Sequence, residues 1–258
     1  MNFKPYETLI NSEIIKRKKL YQEVPGLIEF FPSLYNVLLR MPFCTGKLCD
    51  DNDLEMVNIQ DMFQFFIYDV AFKVRNIFNL MEVGSYCDAG ILFRTLVESF
   101  IIYKYFILNK DESGLSKYYD TNISKRSKKT IKDIFENVIP GFYDDIYCEL
   151  CMKTHGNPFI QAIFRGNVSK KSPLKSNIYN INLDWFSYIL NQLLPLIIGI
   201  INLYKYVYPN NTLSNNIIDK KDLENVYKFI YADIESRKKL YPKQLKMIEF
   251  YDEMIKIK

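Results

Sequence analysis

The chain has 258 residues, of which 48% are hydrophobic, 16% aromatic and 25% charged. This composition is that of a folded globular protein, and it excludes a disordered tail, a collagen-like chain and a small disulfide scaffold. Nine glycines and ten prolines are too few for a turn-dense β-sandwich or a glycine-rich nucleotide fold. The net charge of +4 accompanies an abundance of Lys, Ile, Asn, Tyr and Phe that AT-rich coding would produce, so the charge alone does not indicate a nucleic-acid partner.

Hydrophobic residues recur at helical spacing along most of the chain and predict an all-α fold, a single-domain multi-helix bundle. We expect an N-terminal helical extension over 1–53, a helical core over 54–208 and C-terminal helices over 209–258 that pack on the core. Ser85 is the predicted cap of the fourth helix, with Asp88 in the capping-box position. The helices are predicted over 6–23, 27–39, 54–81, 85–109, 115–137, 142–155 and about 185–204, followed by one or two helices over 219–258.

The segment 185–204 carries no formal charge and is long enough to cross a membrane. Its polar residues recur at roughly helical spacing, which favours a buried core helix over a membrane span. Five cysteines, an odd number, follow a polar and charged N-terminal stretch. We therefore expect reduced thiols, a cytoplasmic location and no membrane partner.

Arg94 and Glu98 are two charged residues inside a largely apolar helix. They are four residues apart, share one face and can pair. Two charges in such surroundings are costly unless they are paired and hydrogen-bonded. The pair is interpreted in two ways: as a structural ion pair, or as an arginine held by a glutamate at the rim of a cleft, where it can bind an anion.

His155 is the only histidine, so any imidazole acid or base must be this residue. It lies in the last predicted turn before Gly156, where the helix dipole favours the protonated ring. Tyr147, Cys151 and His155 are spaced by four and are expected to share a face. A histidine at a helix end is also a common cap or packing residue.

A zinc site is the alternative use of this helix, since Cys148, Cys151 and His155 form a Cys-x2-Cys-x3-His pattern, and Cys44 or Cys49 could add a fourth ligand. Structural zinc cysteines usually lie on a tight turn with glycine nearby, whereas these continue a helix. We therefore predict no metal and no other cofactor. Motifs for NTPases, serine hydrolases and dehydrogenases do not occur in the sequence.

Two segments, 89–98 and 147–156, resemble the bacterial DUF5677 family. These are all-helical proteins of unknown function in which an Arg-x-x-x-Glu helix precedes a helix that ends in histidine. The resemblance covers roughly residues 54–208. DUF5677 proteins are in turn similar to HEPN proteins, helical bundles of toxin and antiviral systems, many of which are metal-independent RNases.

HEPN enzymes carry Arg and His four to six residues apart on one helix. This chain departs from that pattern, because the corresponding positions before His155 are Cys148, Glu149 and Leu150. An arginine from another helix would have to complete the site, and Arg94 is the candidate. The HEPN resemblance also implies a homodimer and a partner protein of a defence or toxin–antitoxin system.

The resemblance implies metal-independent RNA cleavage by attack of the ribose 2′-OH. His155 would take the 2′-OH proton, Arg94 would hold the phosphate charge and Glu98 would orient the arginine. Basic side chains would track the RNA backbone and tyrosines would stack on bases. The candidate substrate-binding residues are Tyr147, Lys153, Asn157, Lys170 and Lys171, and further basic residues occur at Lys125, Arg126, Lys128, Lys129, Lys132 and Lys175.

Two functions therefore remain open. One is a HEPN-like RNase or effector that acts through His155 and Arg94. The other is a non-catalytic helical module that senses a ligand or binds a protein, with Arg94 and Glu98 as a structural ion pair.

Overall fold

A computed structural model describes the helical framework of the chain. The described residues are 5–42, 59–120, 127–148, 150–151, 183–209, 219–240, 252–253 and 255–256. These described residues form helices and include no β-strand, which confirms the all-α prediction. The elements are α1 (Pro5–Glu23), α2 (Leu27–Arg40), α3 (Ile59–Glu82), α4 (Tyr86–Leu108), α5 (Glu112–Tyr118), α6 (Ile131–Val138), a π-helix (Tyr143–Tyr147), α7 (Leu183–Val207) and α8 (Lys220–Leu240).

Helix α4 lies at the centre of the bundle and packs against α3, α6 and α7. Its buried positions include Phe93, Val97, Phe100 and Ile101, so apolar side chains cover several of its sides. Helix α2 packs against α3 and α8, and its apolar residues belong to the same core as those of α4 and α7. The sequence periodicity predicts this arrangement because a helix that is apolar on most sides must be surrounded by other helices.

Helix α7 contains the uncharged segment. Within it, residues Phe186–Val207 have a mean hydropathy of 1.6 over the most apolar stretch, and 78% of that stretch is buried inside the bundle. By length and composition alone, this helix could cross a membrane. Its burial is consistent with the expected core helix.

Helices α3 and α4 meet at a sharp turn around Gly84. The backbone N–H of Gly84 donates to Met81 O at 3.1 Å and that of Ser85 donates to Leu80 O at 2.7 Å, which is the Schellman pattern of a helix C-terminus. Gly84 has φ +79°, a left-handed conformation that glycine adopts without steric cost. The predicted capping box at the start of α4 is wrong, because the Ser85 hydroxyl donates to the Asp88 carboxylate and caps no backbone N–H.

The prediction of a single helix over 115–137 is also wrong. Helix α5 ends at Tyr118 and α6 begins only at Ile131. The reason is local: the Thr130 hydroxyl accepts from the Asp133 N–H, while the Asp133 carboxylate accepts from the Thr130 N–H. This capping box fixes a new N-terminus at Thr130.

The predicted helix over 142–155 begins as expected at Phe142 but continues as a π-helix over Tyr143–Tyr147. Helical backbone resumes at Cys148, Leu150 and Cys151. The rest of that predicted helix, including His155, lies outside the described residues.

Candidate functional site

Arg94 and Glu98 form the ion pair that their spacing predicts. Arg94 Nε lies 3.2 Å from Glu98 Oε1, and the two side chains are 20% and 26% exposed. The neighbouring positions Phe93 and Val97 are buried. The pair therefore lies at the border between core and surface, where both side chains are partly exposed.

Tyr147 completes this group from another part of the chain. Its hydroxyl donates a short hydrogen bond to Glu98 Oε1, the same oxygen that faces Arg94. Tyr147 is only 6% exposed. Burial raises the pKa of its phenol strongly, and the hydrogen bonds with Glu98 and Cys151 raise it further. The phenol consequently stays protonated and acts as a donor that fixes the carboxylate.

The π-helix determines where Tyr147 points. Each turn of a π-helix contains one more residue than an α-helical turn, and such turns often occur at functional sites. The Tyr147 ring packs 4.7 Å from Phe135 of α6 and 5.2 Å from Tyr143, measured between ring centroids. Helix α6 itself packs on α4. The aromatic contacts thus hold the phenol against the middle of α4.

Tyr119, just after α5, is an aromatic residue that the sequence did not single out. Burial and the neighbouring Tyr103 and Tyr118 raise its pKa, and the Glu98 charge raises it as well. Tyr119 is nevertheless 43% exposed, so part of its ring faces solvent. Tyr119 lies just after the end of α5, whereas the sequence predicts one continuous helix over 115–137. The hydrophobic spacing therefore does not indicate where Tyr119 lies.

Several predicted site residues are not placed by the structure. His155, Lys153, Asn157, Lys170 and Lys171 lie outside the described residues, as do Lys125, Arg126 and Lys175. Their roles remain predictions. Of the three described catalytic and substrate-binding candidates, Arg94, Glu98 and Tyr147, all three are brought together.

Two of the described basic residues of the α5–α6 region, Lys129 and Lys132, have acidic partners. Lys132 Nζ lies 2.9 Å from Asp144 Oδ2. Lys129 Nζ lies 3.7 Å from Asp111 Oδ2 and donates to the Tyr105 hydroxyl at 2.8 Å. These local partners reduce the net field that the two lysines present to a distant phosphate.

The alternative zinc ligands Cys148 and Cys151 are partly buried thiols that form no disulfide. Burial raises the pKa of Cys148, and the nearby Asp144 and Cys151 raise it further. Metal binding requires the thiolate, so this environment does not favour it. Within the described ranges no three His, Cys, Asp or Glu side chains are grouped to hold a metal; Cys44, Cys49 and His155 fall outside them.

A second cluster of the same composition occurs at the end of α3. Glu82 is 4% exposed, and its carboxylate accepts from Arg17 Nη1 at 2.7 Å and from the Tyr21 hydroxyl at 2.6 Å. Both donors belong to α1. The Glu82 cluster therefore joins α1 to α3 as a structural contact, and it is an internal comparison for the Arg94, Glu98 and Tyr147 cluster.

Comparison of the chain with protein-family models, with curated proteins and with solved structures gives no match.

Proposed function

We propose that this protein is a metal-independent endoribonuclease, an effector of a bacterial defence or toxin system, and that Arg94 binds the phosphate at the cleaved bond. The observation that supports this most is the way Arg94 is held. Glu98 pairs with its Nε, and Tyr147 fixes the same carboxylate oxygen from the π-helix. A guanidinium oriented in this way, with 20% of its side chain exposed, is suited to bind an anionic oxygen.

In the proposed reaction His155 removes the proton of a ribose 2′-OH. The 2′-oxygen attacks the adjacent phosphorus, the bond from phosphorus to the 5′-oxygen breaks as that oxygen takes a proton from water, and a 2′,3′-cyclic phosphate and a 5′-OH are formed. Arg94 stabilises the charge that develops on the phosphate oxygens. His155 follows Cys151, the last described residue of that helical segment, by four positions in the sequence. The protein would act on RNA as a homodimer, regulated by a partner protein of the same system.

The direct test is incubation of the purified full chain with a defined RNA oligonucleotide in the presence of EDTA. We expect cleavage products that end in 2′,3′-cyclic phosphate. His155→Ala and His155→Gln should abolish cleavage, because the sequence contains no other imidazole. Intact RNA with the wild-type chain, or equal cleavage by the His155 variants, would contradict the proposal.

The second candidate is a non-catalytic helical module that senses a ligand or binds a protein. The Glu82 cluster favours it, because there the same three residue types join two helices. In this case Arg94 stabilises the fold and no more. Arg94→Ala and Arg17→Ala should then both lower the free energy of unfolding, by about 1–3 kcal/mol, and neither should change RNA binding. A folded Arg94→Ala protein that has lost RNA binding would reject this candidate.

A further inference from the structure

Helix α3 carries a stripe of exposed residues on the side that faces away from the core. Its buried positions belong to the same hydrophobic core as those of α2 and α4, against which it packs. The outer positions, three or four residues apart, share one face of the helix. We call them the α3 stripe, and all of them are exposed: Phe65, Tyr68, Asp69, Phe72, Arg75 and Asn76.

The aromatic residues of the α3 stripe give it an apolar surface. Phe65 is 63% exposed and Phe72 is 54% exposed, and Tyr68, 38% exposed, lies between them along the helix. Single exposed apolar residues are ordinary, but a continuous apolar surface with polar neighbours is typical of an interaction site. The α3 stripe is therefore a candidate docking surface, and its charges indicate what docks there.

The charges of the α3 stripe are placed symmetrically about Phe72. Asp69 lies three residues before it and Arg75 three residues after it. Asp69 Oδ2 pairs with Lys73, which leaves the other carboxylate oxygen for a second cation. Within the described part of the chain, no carboxylate lies within ion-pair distance of Arg75. The stripe thus offers an anion and an unpaired cation at equal distances from its central ring.

A second copy of α3 is complementary to this pattern. If two α3 helices lie antiparallel about a two-fold axis at Phe72, each residue faces the one equally far on the other side of Phe72 in the second copy. Asp69 then faces the partner's Arg75, and Arg75 faces the partner's Asp69. Tyr68 and Asn76, four positions to either side, face each other in the same way. A parallel arrangement would oppose like charges, which is unfavourable.

We propose that the α3 stripe is the interface of a homodimer, in which two α3 helices pack antiparallel about a two-fold axis at Phe72 and Asp69 of each copy pairs with the partner's Arg75. The inference rests on the proposed function only in that both include a homodimer, and it does not depend on RNA cleavage. The stripe from Phe65 to Asn76 is about 17 Å long, at about 1.5 Å per residue. An interface of this length belongs to the weak class, which buries less than about 1,200 Å², so the dimer should dissociate on dilution.

Sedimentation velocity of the full chain, from about 1 to about 200 μM, tests the proposal. The wild type should convert from monomer to dimer within this range. Phe72→Glu should weaken the dimer at least about tenfold, because it places two carboxylates at the two-fold axis. A wild type that stays monomeric throughout, or a dimer that Phe72→Glu leaves intact, would overturn the proposal.

Tyr231→Glu is the matched control for Phe72→Glu. Tyr231 is 45% exposed and belongs to α8, which packs against α2 and α7. The control variant introduces the same charge at an exposed ring on another helix, so it should leave dimerisation unchanged. A loss of dimer in Tyr231→Glu equal to that in Phe72→Glu would contradict the α3 stripe as the interface.

Two charge reversals test the antiparallel arrangement. Asp69→Arg and Arg75→Asp should each weaken dimerisation at least about tenfold, because like charges then meet in both halves of the interface. An equimolar mixture of the two variants should dimerise again, since each reversed side chain meets an opposite charge on the other variant. The mixture also corrects for any local effect of losing the Asp69 pair with Lys73. Failure of the mixture to dimerise would overturn the proposed arrangement.

The RNA-cleavage assay separates this inference from the RNase proposal. A dimer that follows the expected variant pattern but leaves RNA intact would reject the RNase and support the interface. A wild-type chain that cleaves RNA through His155 and sediments as a monomer at all concentrations would support the RNase and reject the interface.

Discussion

The Glu98 carboxylate contacts two groups from different elements: Arg94 of α4 forms an ion pair with it, and Tyr147 of the π-helix donates a hydrogen bond to it. The first contact follows from sequence, because residues four apart on a helix are neighbours. The second joins residues 49 positions apart and depends on how α6 and the π-helix pack, so spacing alone does not reveal it. Tyr147 was expected to contact substrate directly, and its position at Glu98 indicates that it also orients the carboxylate.

The shared carboxylate predicts energetic coupling between Arg94 and Tyr147. Tyr147→Phe should lower the free energy of unfolding by about 1–2 kcal/mol, and Arg94→Ala by a similar amount. The loss of unfolding free energy in the double variant should differ from the sum of the two single losses by at least about 0.5 kcal/mol. Urea unfolding, monitored by circular dichroism, measures the free energy of unfolding of the wild type, the two single variants and the double variant.

Tyr143→Phe is the control, since Tyr143 lies beside Tyr147 in the same π-helix but donates no hydrogen bond to Glu98. It should leave stability within about 0.5 kcal/mol of the wild type. Strict additivity of Arg94→Ala and Tyr147→Phe would show that Glu98 does not couple them.

At the scale of elements, helix ends decided which predictions held. The stop at Gly84 was predicted because glycine is the usual residue after a helix C-terminus. The break between α5 and α6 was missed, although Thr130 and Asp133 are residues that begin helices. A helical apolar pattern runs through both segments, so hydrophobic spacing alone predicts one helix there. The π-helix has no sequence signature of its own, so its effect on Tyr147 could not be predicted.

Gly84→Ala should destabilise the α3–α4 turn. An L-residue at φ +79° is strained by about 1–2 kcal/mol, and an added Cβ would lie 3.2 Å from Lys16 Nζ. Thermal unfolding should show a lower melting temperature for Gly84→Ala than for wild type. Gly84→Asn meets the same Lys16 contact but tolerates the left-handed conformation better, so it should cost less. If the Asn variant is as unstable as the Ala variant, the contact with Lys16 and not the backbone conformation causes the loss of stability.

Several phenols are wholly or partly buried in the part of the bundle that the structure describes. The all-α class and the central position of α4 could be predicted from periodicity, because an element that is apolar on most sides requires a shell of helices. The polar contacts of the tyrosines could not be predicted, since each depends on a partner that is far away in the sequence. Burial is the main cause of a raised pKa for Tyr21, Tyr35, Tyr103, Tyr119, Tyr147, Tyr208 and Tyr227.

These phenols predict a loss of stability at alkaline pH. In the unfolded chain a tyrosine loses its proton near pH 10, whereas burial raises the pKa of Tyr103 and Tyr227 to about 12 in the folded protein. The stabilisation is fully present below pH 10 and is lost as the pH rises to 12 and above. Lys16 and Lys205, whose pKa values burial lowers, act in the opposite direction but are fewer.

Urea unfolding at pH 8, 9, 10 and 11 checks this expectation, together with tyrosinate absorbance. The free energy of unfolding should fall between pH 9 and 11, and unfolding at pH 11 should add tyrosinate absorbance to that of exposed residues such as Tyr206. A constant free energy over that range, or no added tyrosinate on unfolding, would be inconsistent with buried phenols.

The central claim is that Arg94 binds a phosphate of RNA and does more than join helices. The most direct test uses a chain that carries His155→Ala, to which either Arg94→Ala or Arg17→Ala is added. The affinities of the two double variants for an RNA oligonucleotide are then compared. Both arginines pair with a glutamate that also accepts from a tyrosine. We predict that Arg94→Ala weakens RNA binding about tenfold and that Arg17→Ala, measured where both proteins are folded, does not. Equal RNA affinity in the two variants would contradict the claim.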